Sequence, residues 1–319
     1  MKTKDKIWTV ILLLCVIILF VFLWMLFSEP KCKCSNKKSS ISILSKERYN
    51  NNNNINIAIV FLTVSPSPEL IDFAIQLSLY KPEYKPEYNL EYTVYIVLDD
   101  NSWSIPSFLK KFPNIHFIKV SENDSSQQGF RGSVLQLSNR ASARDKALCY
   151  FCQSCSTLDT SSSNRGVEKK YSYYWFLEDD VFIPSLQTIF DMDEKYPETD
   201  LLCESFTIAS EPHQLDDWHW RHVKERTTLS LPWVSSMVCA VRLSQRMMEE
   251  VCNYVSTYND LFLDEAFFPT LAFKAGCSIL NPPELKTIAW RKEWKQSDIV
   301  PENLYHPIKN QALHHQWRF

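Results

Sequence analysis

Two groups of acidic residues each follow a stretch of apolar residues. The groups are Asp99 and Asp100, after YTVYIVL, and Glu178, Asp179 and Asp180, after YYWFL. Consecutive carboxylates repel one another, so such a group is unfavourable unless a cation offsets its charge. Carboxylate oxygens bind Mg²⁺ or Mn²⁺, and these ions bridge phosphate oxygens. The pattern predicts a divalent metal site that holds a diphosphate. Acids in a solvated loop or at a helix N-terminus are the alternative.

The apolar stretches before these acids belong to an alternating series of predicted elements. Runs of β-branched and aromatic residues predict strands at 55–64, 92–98, 115–120, 173–177, 201–208 and 233–242. Helical patterns occupy 69–80, 139–152, 186–196, 243–254 and 265–275. Strands that alternate with helices indicate an α/β fold, with a mostly parallel sheet and helices on both faces. Ligands bind such sheets at the carboxyl ends of the strands, where both acidic groups are expected.

The segments IVLDDNS (96–102) and FLEDDV (176–181) resemble two hallmark segments of inverting GT-A glycosyltransferases, especially the family 2-like enzymes. The resemblance implies a GT-A fold and a nucleotide-sugar donor, with Asp99 and Asp100 contacting the uracil or ribose. It also implies that residues 178–180 form a DxD-type motif that binds Mn²⁺ or Mg²⁺ and the diphosphate. The motif departs from the family pattern because it begins with Glu. The implied reaction is hexosyl or N-acetylhexosaminyl transfer from a UDP-sugar to a hydroxyl of a glycan or glycoconjugate acceptor.

Basic residues and a histidine fit the same resemblance. Arg144, in SARDKAL, takes the position of a basic residue that faces the nucleotide; an exposed helical arginine is the alternative. His306 takes the position of a C-terminal histidine that completes the metal site, and Lys309 is suited to the diphosphate. A histidine with a merely structural role is the alternative for His306.

The segment FLDEAFFPT (262–270) resembles the part of inverting enzymes that supplies the catalytic base, and also the core-2-type branching N-acetylglucosaminyltransferases. Inverting transfer needs a carboxylate that takes the proton of the acceptor hydroxyl. Asp264 and Glu265 are the candidates, and Glu265 is favoured because its side chain is longer. The alternative is an acid pair that favours a helix N-terminus.

The N-terminal part of the sequence predicts a membrane anchor. Residues 7–27 contain no charged side chain, and at ~1.5 Å per residue a helix over them reaches ~30 Å, the thickness of a bilayer core. A cleaved signal peptide is the alternative, but its apolar region is normally shorter. We expect a cytoplasmic tail at 1–6, a polar stem at 28–54 and a catalytic domain at 55–319. This arrangement predicts a single-pass type II membrane protein with a luminal domain, in the Golgi or ER.

Composition excludes several classes of protein. The net charge of -3 provides no basic surface for nucleic acid. The four glycines are too scattered for a dinucleotide fingerprint or a Walker A loop. Of the ten cysteines, Cys15 falls in the predicted membrane segment, and the other nine would be able to form disulfides in an oxidising lumen, with at least one left unpaired or paired between chains. Cys149, Cys152 and Cys155 have the spacing of zinc ligands, but they lack a fourth partner, which favours disulfides or buried thiols.

Three other functions are alternatives to sugar transfer. A catalytically inactive, membrane-tethered sugar-binding module would not need the intact acids. A nucleotidyltransferase typically carries a glycine-rich N-terminal loop, and the first glycine here is Gly129. A glycoside hydrolase with a carboxylate pair would not need acids placed for a nucleotide. A group of tryptophans suggests an acceptor groove, with core packing as the alternative; its members are Trp218, Trp220, Trp233, Trp290 and Trp294.

Overall fold

The computed structural model describes residues 55–81, 90–135, 140–156 and 171–319. The predicted tail, membrane segment and stem, residues 1–54, lie outside these ranges. Within the described ranges, no helix is both long enough and apolar enough to cross a membrane.

Strands and helices alternate through the first half of this part of the chain. The strands are β1 Ile55–Thr63, β2 Leu90–Leu98, β3 Ile115–Ile118, β4 Tyr173–Glu178, β5 Leu201–Leu202, β6 Phe206–Ala209, β7 Trp233–Ser236, β8 Ala240–Ser244 and β9 Ile279–Leu280. The helices are α1 Pro68–Leu79, α2 Glu122–Gln127, α3 Ala143–Ser156, α4 Gln187–Lys195, α5 Trp220–Arg226, α6 Gln245–Tyr258, α7 Asp264–Ala275 and α8 Gln311–Trp317.

One sheet of seven strands, in the order β3-β2-β1-β4-β8-β5-β9, organises the structure. β1 lies between β2 and β4 and is parallel to both, and β3 is parallel to β2. β8 is antiparallel to its neighbours β4 and β5, and β9 is parallel to β5. The prediction of an α/β fold with a mostly parallel sheet is therefore confirmed. The chain adds β2 and β3 on one side of β1 and then β4 on the other, so β1 lies at the point where the strand order reverses, which is where ligands bind in such sheets.

Helices cover both faces of the sheet, as predicted. Alternate residues of a strand point to opposite faces, and β1 is buried on both. Ala58 and Val60 belong to an apolar cluster that also contains residues of α3, α6 and α7. Ile57 and Ile59 belong to a second cluster, with residues of α1 and α4. The near-continuous apolar run of β1 follows from this double burial.

Two predicted strands were wrong in extent. The stretches 201–208 and 233–242 are each divided, because the chain leaves the main sheet and forms the separate antiparallel pair β6-β7. Side-chain hydrogen bonds stabilise the break between β5 and β6. Ser236 Oγ and Asn281 Nδ2 donate to the Glu204 carbonyl oxygen at 2.9 Å and 2.6 Å. Neither break carries a glycine or proline, so the sequence pattern gave no sign of it.

A disulfide between Cys152 and Cys252 joins α3 to α6. Cys149 is a buried free thiol, so it and Cys152 are not joint zinc ligands. The side chain of Cys155 lies outside the described part of the chain. The cysteine spacing therefore reflects one cross-link and one core thiol, as the preferred interpretation expected.

Candidate active site

The register of the sheet brings the two acidic groups to either side of the end of β1. The backbone N–H of Asp99 donates to the Thr63 carbonyl at 2.8 Å, while Leu62 pairs with Glu178 on the other side. Thr63 Oγ1 donates to Asp179 Oδ2 at 2.6 Å. Neighbouring strands are ~4.8 Å apart, so the groups face each other across about 10 Å.

Lys146 holds the first acidic group, Asp99 and Asp100, through its contacts with Asp99. Its Nζ lies 3.0 Å from Asp99 Oδ1 and donates to the Asp99 carbonyl oxygen at 2.6 Å. The Lys146 side chain is buried, so its charge is committed to Asp99. Asp100 is exposed, and hydrogen bonds from the side chain and the backbone N–H of Ser102, the latter 2.8 Å from Asp100 Oδ1, lower the pKa of Asp100. Sequence reasoning missed Lys146, although the lysine stands only two residues after Arg144 in the same helix.

His306 faces the second group. Its Nε2 lies 3.3 Å from Asp180 Oδ1 and 3.8 Å from Glu178 Oε2. Its Nδ1 lies 3.0 Å from the Ala289 carbonyl oxygen. Carbonyl and carboxylate oxygens only accept, so both ring nitrogens of His306 carry a hydrogen. Burial lowers the pKa of His306, but the hydrogen bond and charge of Asp180 outweigh it and raise that pKa.

The backbone around His306 is held by the chain that follows β4. Ile308 N donates to the Asp180 carbonyl oxygen at 2.8 Å, and Phe182 forms a β-bridge with Tyr305. Burial raises the pKa of Asp180, but the hydrogen bond and charge of His306, together with the charge of Lys309, outweigh it and lower that pKa. Lys309 is exposed at the rim of the site.

The remaining acid of this group, Asp179, accepts a hydrogen bond from Thr63 of β1. Burial, together with the charges of Asp180 and Glu178, raises the pKa of Asp179, against the hydrogen bond from Thr63. The side chain of Asp179 is thus directed to β1, whereas Glu178 and Asp180 are directed to His306.

Arg144 lies buried between two carboxylates, with 3% of its side chain exposed. Its Nε is 2.6 Å from Asp264 Oδ2, and its Nη2 is 3.1 Å from Glu178 Oε1. Nη2 also donates to the Val238 carbonyl oxygen at 2.9 Å, and within the described residues Nη1 has no hydrogen-bond partner. Arg144 therefore orients Glu178 and Asp264; a direct contact with a nucleotide stays a prediction.

The two candidate bases differ in their surroundings. Asp264 is buried and is held by Arg144, and its Oδ1 accepts from the Glu265 backbone N–H at 2.8 Å. Burial raises the pKa of Asp264 to about 6 despite the guanidinium. The Glu265 carboxylate has no hydrogen bond or ion pair within the described chain, and burial with the charges of Asp264 and Glu178 raises its pKa to about 7. A carboxylate with a pKa near neutral pH suits a general base.

Cys239 is a further member of the site that sequence reasoning missed. Glu178 N donates to the Cys239 carbonyl oxygen at 2.9 Å. Glu178, Cys239 and His306 each offer a ligand atom, and these atoms lie within 4.8 Å of one another. In the sequence, Cys239 sits within an apolar run and has the appearance of a core residue. Only the antiparallel pairing of β4 with β8 reveals its place.

The tryptophans are divided between core and surface. Trp220 and Trp233 are buried, as the core-packing alternative predicts. Trp290 has 68% of its surface exposed and follows Ala289, whose carbonyl accepts from His306. Trp218 is 41% exposed, and Trp294 donates to the His306 carbonyl oxygen at 3.0 Å.

Comparison with known proteins gives distant structural likenesses. No protein-family profile matches the chain, and no curated protein matches it. The chain is similar to mouse xyloside xylosyltransferase 1 in its apo form, with 13% identity, a TM-score of 0.38 and coverage of 81% of this chain and 98% of that one. It is also similar to 4-diphosphocytidyl-2C-methyl-D-erythritol synthase from Anaerococcus prevotii, with 9% identity, a TM-score of 0.33 and coverage of 71% and 86%. Both TM-scores are low, and neither likeness assigns a function to this chain.

Proposed function

We propose that this chain is a GT-A glycosyltransferase that moves a sugar from a nucleotide-diphosphate donor, a UDP-sugar, to a hydroxyl of a glycan or glycoconjugate acceptor. The observation that carries the proposal is the convergence of two acidic groups on the end of β1, with His306 facing one of them. In an open α/β sheet, the point where connections change sides is where ligands bind.

The second group fits a divalent cation. Glu178 and Asp180 each direct a carboxylate oxygen at His306 Nε2, at 3.8 Å and 3.3 Å. The hydrogen bond from Nδ1 to Ala289 fixes the tautomer that a metal-bound histidine needs. Mg²⁺ prefers oxygen ligands alone, so this mixed set favours Mn²⁺. When bound, the ion would offset the negative charge of the donor's diphosphate.

The first group is the proposed contact for the nucleoside. Lys146 holds Asp99 at the end of β2, and Asp100 is exposed beside it. Carboxylates accept hydrogen bonds from ribose hydroxyls and base N–H groups. Lys309, at the rim near Asp180, is available to the diphosphate. Trp290 offers an exposed ring on which the CH face of a sugar would stack.

Glu265 is the proposed base for an inverting transfer. It would take the proton of the acceptor hydroxyl as that oxygen attacks the anomeric carbon and the nucleoside diphosphate leaves. Its pKa of about 7 balances ionisation against basicity at neutral pH. Asp264, paired with Arg144, lies beside Glu265 at the start of α7, and Glu265 is close enough to Glu178 and His306 for their charges to affect its pKa.

The cellular location belongs to the same proposal. Residues 7–27 would anchor a type II membrane protein, with the catalytic part in the Golgi or ER lumen. The disulfide between Cys152 and Cys252 supports a luminal location, because disulfides persist in oxidising compartments.

A donor panel tests the proposal. The full-length chain would be incubated with UDP-, GDP- and CMP-sugars in Mn²⁺, with and without glycan acceptors, and the products examined by NMR. We expect turnover of a UDP-sugar and an inverted anomeric configuration in the product. Glu265→Gln should lose transfer, whereas Glu249→Gln, at an exposed position of α6, should keep it. Nucleotide binding without turnover of any donor would instead indicate an inactive sugar-binding module.

A further inference from the structure

The proposed reaction leaves the thiol of Cys239 without a role. Leu177 pairs with Ala240 in the antiparallel ladder, which places Glu178 directly opposite Cys239. Cross-strand neighbours project from the same face of a sheet, with Cβ atoms about 5 Å apart. The Cys239 thiol and the Glu178 carboxylate are therefore adjacent, and the His306 ring lies close to both.

These three side chains have the spacing of a metal-ligand set. Their ligand atoms all lie within 4.8 Å of one another. Zn–S and Zn–N bonds of about 2.3 Å and 2.0 Å place tetrahedral ligand atoms roughly 3.3–3.6 Å apart. Small side-chain rotations are enough to bring the observed atoms to that spacing.

Outer contacts already orient two of the three ligands. Ala289 accepts from His306 Nδ1 at 3.0 Å, and Arg144 Nη2 lies 3.1 Å from Glu178 Oε1, which leaves Oε2 facing His306. Such partners fix the orientation of metal ligands. Among the residues that the structure describes, the free thiols of Cys149, Cys203 and Cys277 are also buried, but none belongs to such a cluster.

We propose that Glu178, Cys239 and His306 form a Zn²⁺ site that overlaps the Mn²⁺ site. Thiolate and imidazole ligands favour Zn²⁺, whereas carboxylates favour Mn²⁺. Glu178 and His306 belong to both ligand sets, and Cys239 replaces Asp180 when Zn²⁺ binds. The two ions therefore exclude each other. Binding of Zn²⁺ forms a Zn–S bond and releases the thiol proton to solvent. Only the competition with Mn²⁺ rests on the proposed function; the Zn²⁺ site itself does not.

Cobalt provides a direct test, because Co²⁺ bound by a thiolate shows a ligand-to-metal charge-transfer band. The purified full-length chain would be titrated with Co²⁺ in the absence of nucleotide and sugar. We expect the band to saturate at about one equivalent and to disappear on addition of Zn²⁺. Cys239→Ser should abolish it, and the matched variant Cys149→Ser should keep it. His306→Gln should weaken Co²⁺ binding by at least about 10-fold, the loss that even an outer-shell change causes.

Two results would overturn the site. One is the lack of a thiolate band in the wild-type chain, and the other is a band that Cys239→Ser leaves unchanged. His306→Gln retains Cys239, so unchanged Co²⁺ affinity in that variant also contradicts the proposal if Cys239→Ser fails to fold. Failure of sugar transfer would leave the cobalt band intact. Transfer without a thiolate band would remove the Zn²⁺ site and leave the transferase proposal standing.

Discussion

Glu265→Gln should make the protein more stable and much less active. The Glu265 carboxylate has no ion pair within the described residues, and burial raises its pKa from 4.5 to about 7. One pKa unit corresponds to about 1.4 kcal/mol, so the ionised side chain lowers the free energy of unfolding by about 3 kcal/mol above pH 7. The amide has the same shape and no charge, so the substitution removes this destabilisation.

The sign of the pH dependence follows from linkage. The folded protein binds the Glu265 proton more tightly than the unfolded chain does, so stability falls as pH rises from about 4.5 to about 7 and then levels off. Glu265→Gln has no carboxyl group at this position, so it does not undergo this fall in stability. The difference in Tm between variant and wild type should therefore be small at pH 4 and reach about 6–12 °C at pH 8.

The assay is thermal unfolding of both proteins in EDTA across this pH range, followed by single-turnover transfer with saturating donor. The kcat of Glu265→Gln should fall by ~10²–10⁴, the usual contribution of a positioned general base. Glu249→Gln, on the exposed surface of α6, controls for the loss of one charge. A Tm difference that does not change with pH would refute the electrostatic argument, and near-normal transfer would remove Glu265 from the chemistry.

Three further predictions concern Arg144, the disulfide and the pH dependence of transfer. Arg144→Met leaves Asp264 buried without its cation and should lower the free energy of unfolding by about 3–5 kcal/mol in urea titrations; an unchanged midpoint would contradict the role of this pair. Cys152→Ser removes the disulfide and should lower the free energy of unfolding by about 2–5 kcal/mol. Dithiothreitol should lower the stability of the wild type by a similar amount and leave that of the variant unchanged. The transfer rate should fall roughly tenfold per pH unit below about pH 7, because Glu265 is then protonated; a flat profile would exclude it as the base.

The sequence predicted the parallel half of the sheet well because hydrophobic runs carry that information directly. β1 and β2 are buried on both faces, and such strands appear as uninterrupted β-branched segments. The acids that follow β2 and β4 were then expected at one edge, since the carboxyl ends of parallel strands meet there. The observed register across β1 agrees with that expectation.

The antiparallel half of the sheet could not be predicted, because pairing between strands that are distant in the sequence has no local signature. Cys239 faces Glu178 only because β8 runs opposite to β4. Arg144 and Lys146 are neighbours on α3, yet one binds Glu178 and the other binds Asp99. Sequence reasoning chose Arg144 as the residue near the nucleotide, and nothing in the helix pattern distinguished the two.

The most direct test of the transferase proposal is calorimetric titration of UDP into the full-length chain, in Mn²⁺ and in EDTA. Glu178, Asp180 and His306 are the proposed metal ligands, so UDP should bind in Mn²⁺ and lose most of its affinity in EDTA. Asp180→Asn should bind UDP equally weakly in both conditions, and the surface variant Glu249→Gln should behave as the wild type does. UDP affinity that is unaffected by EDTA and by Asp180→Asn would contradict the metal site, and no binding of UDP in Mn²⁺ would contradict the proposed function.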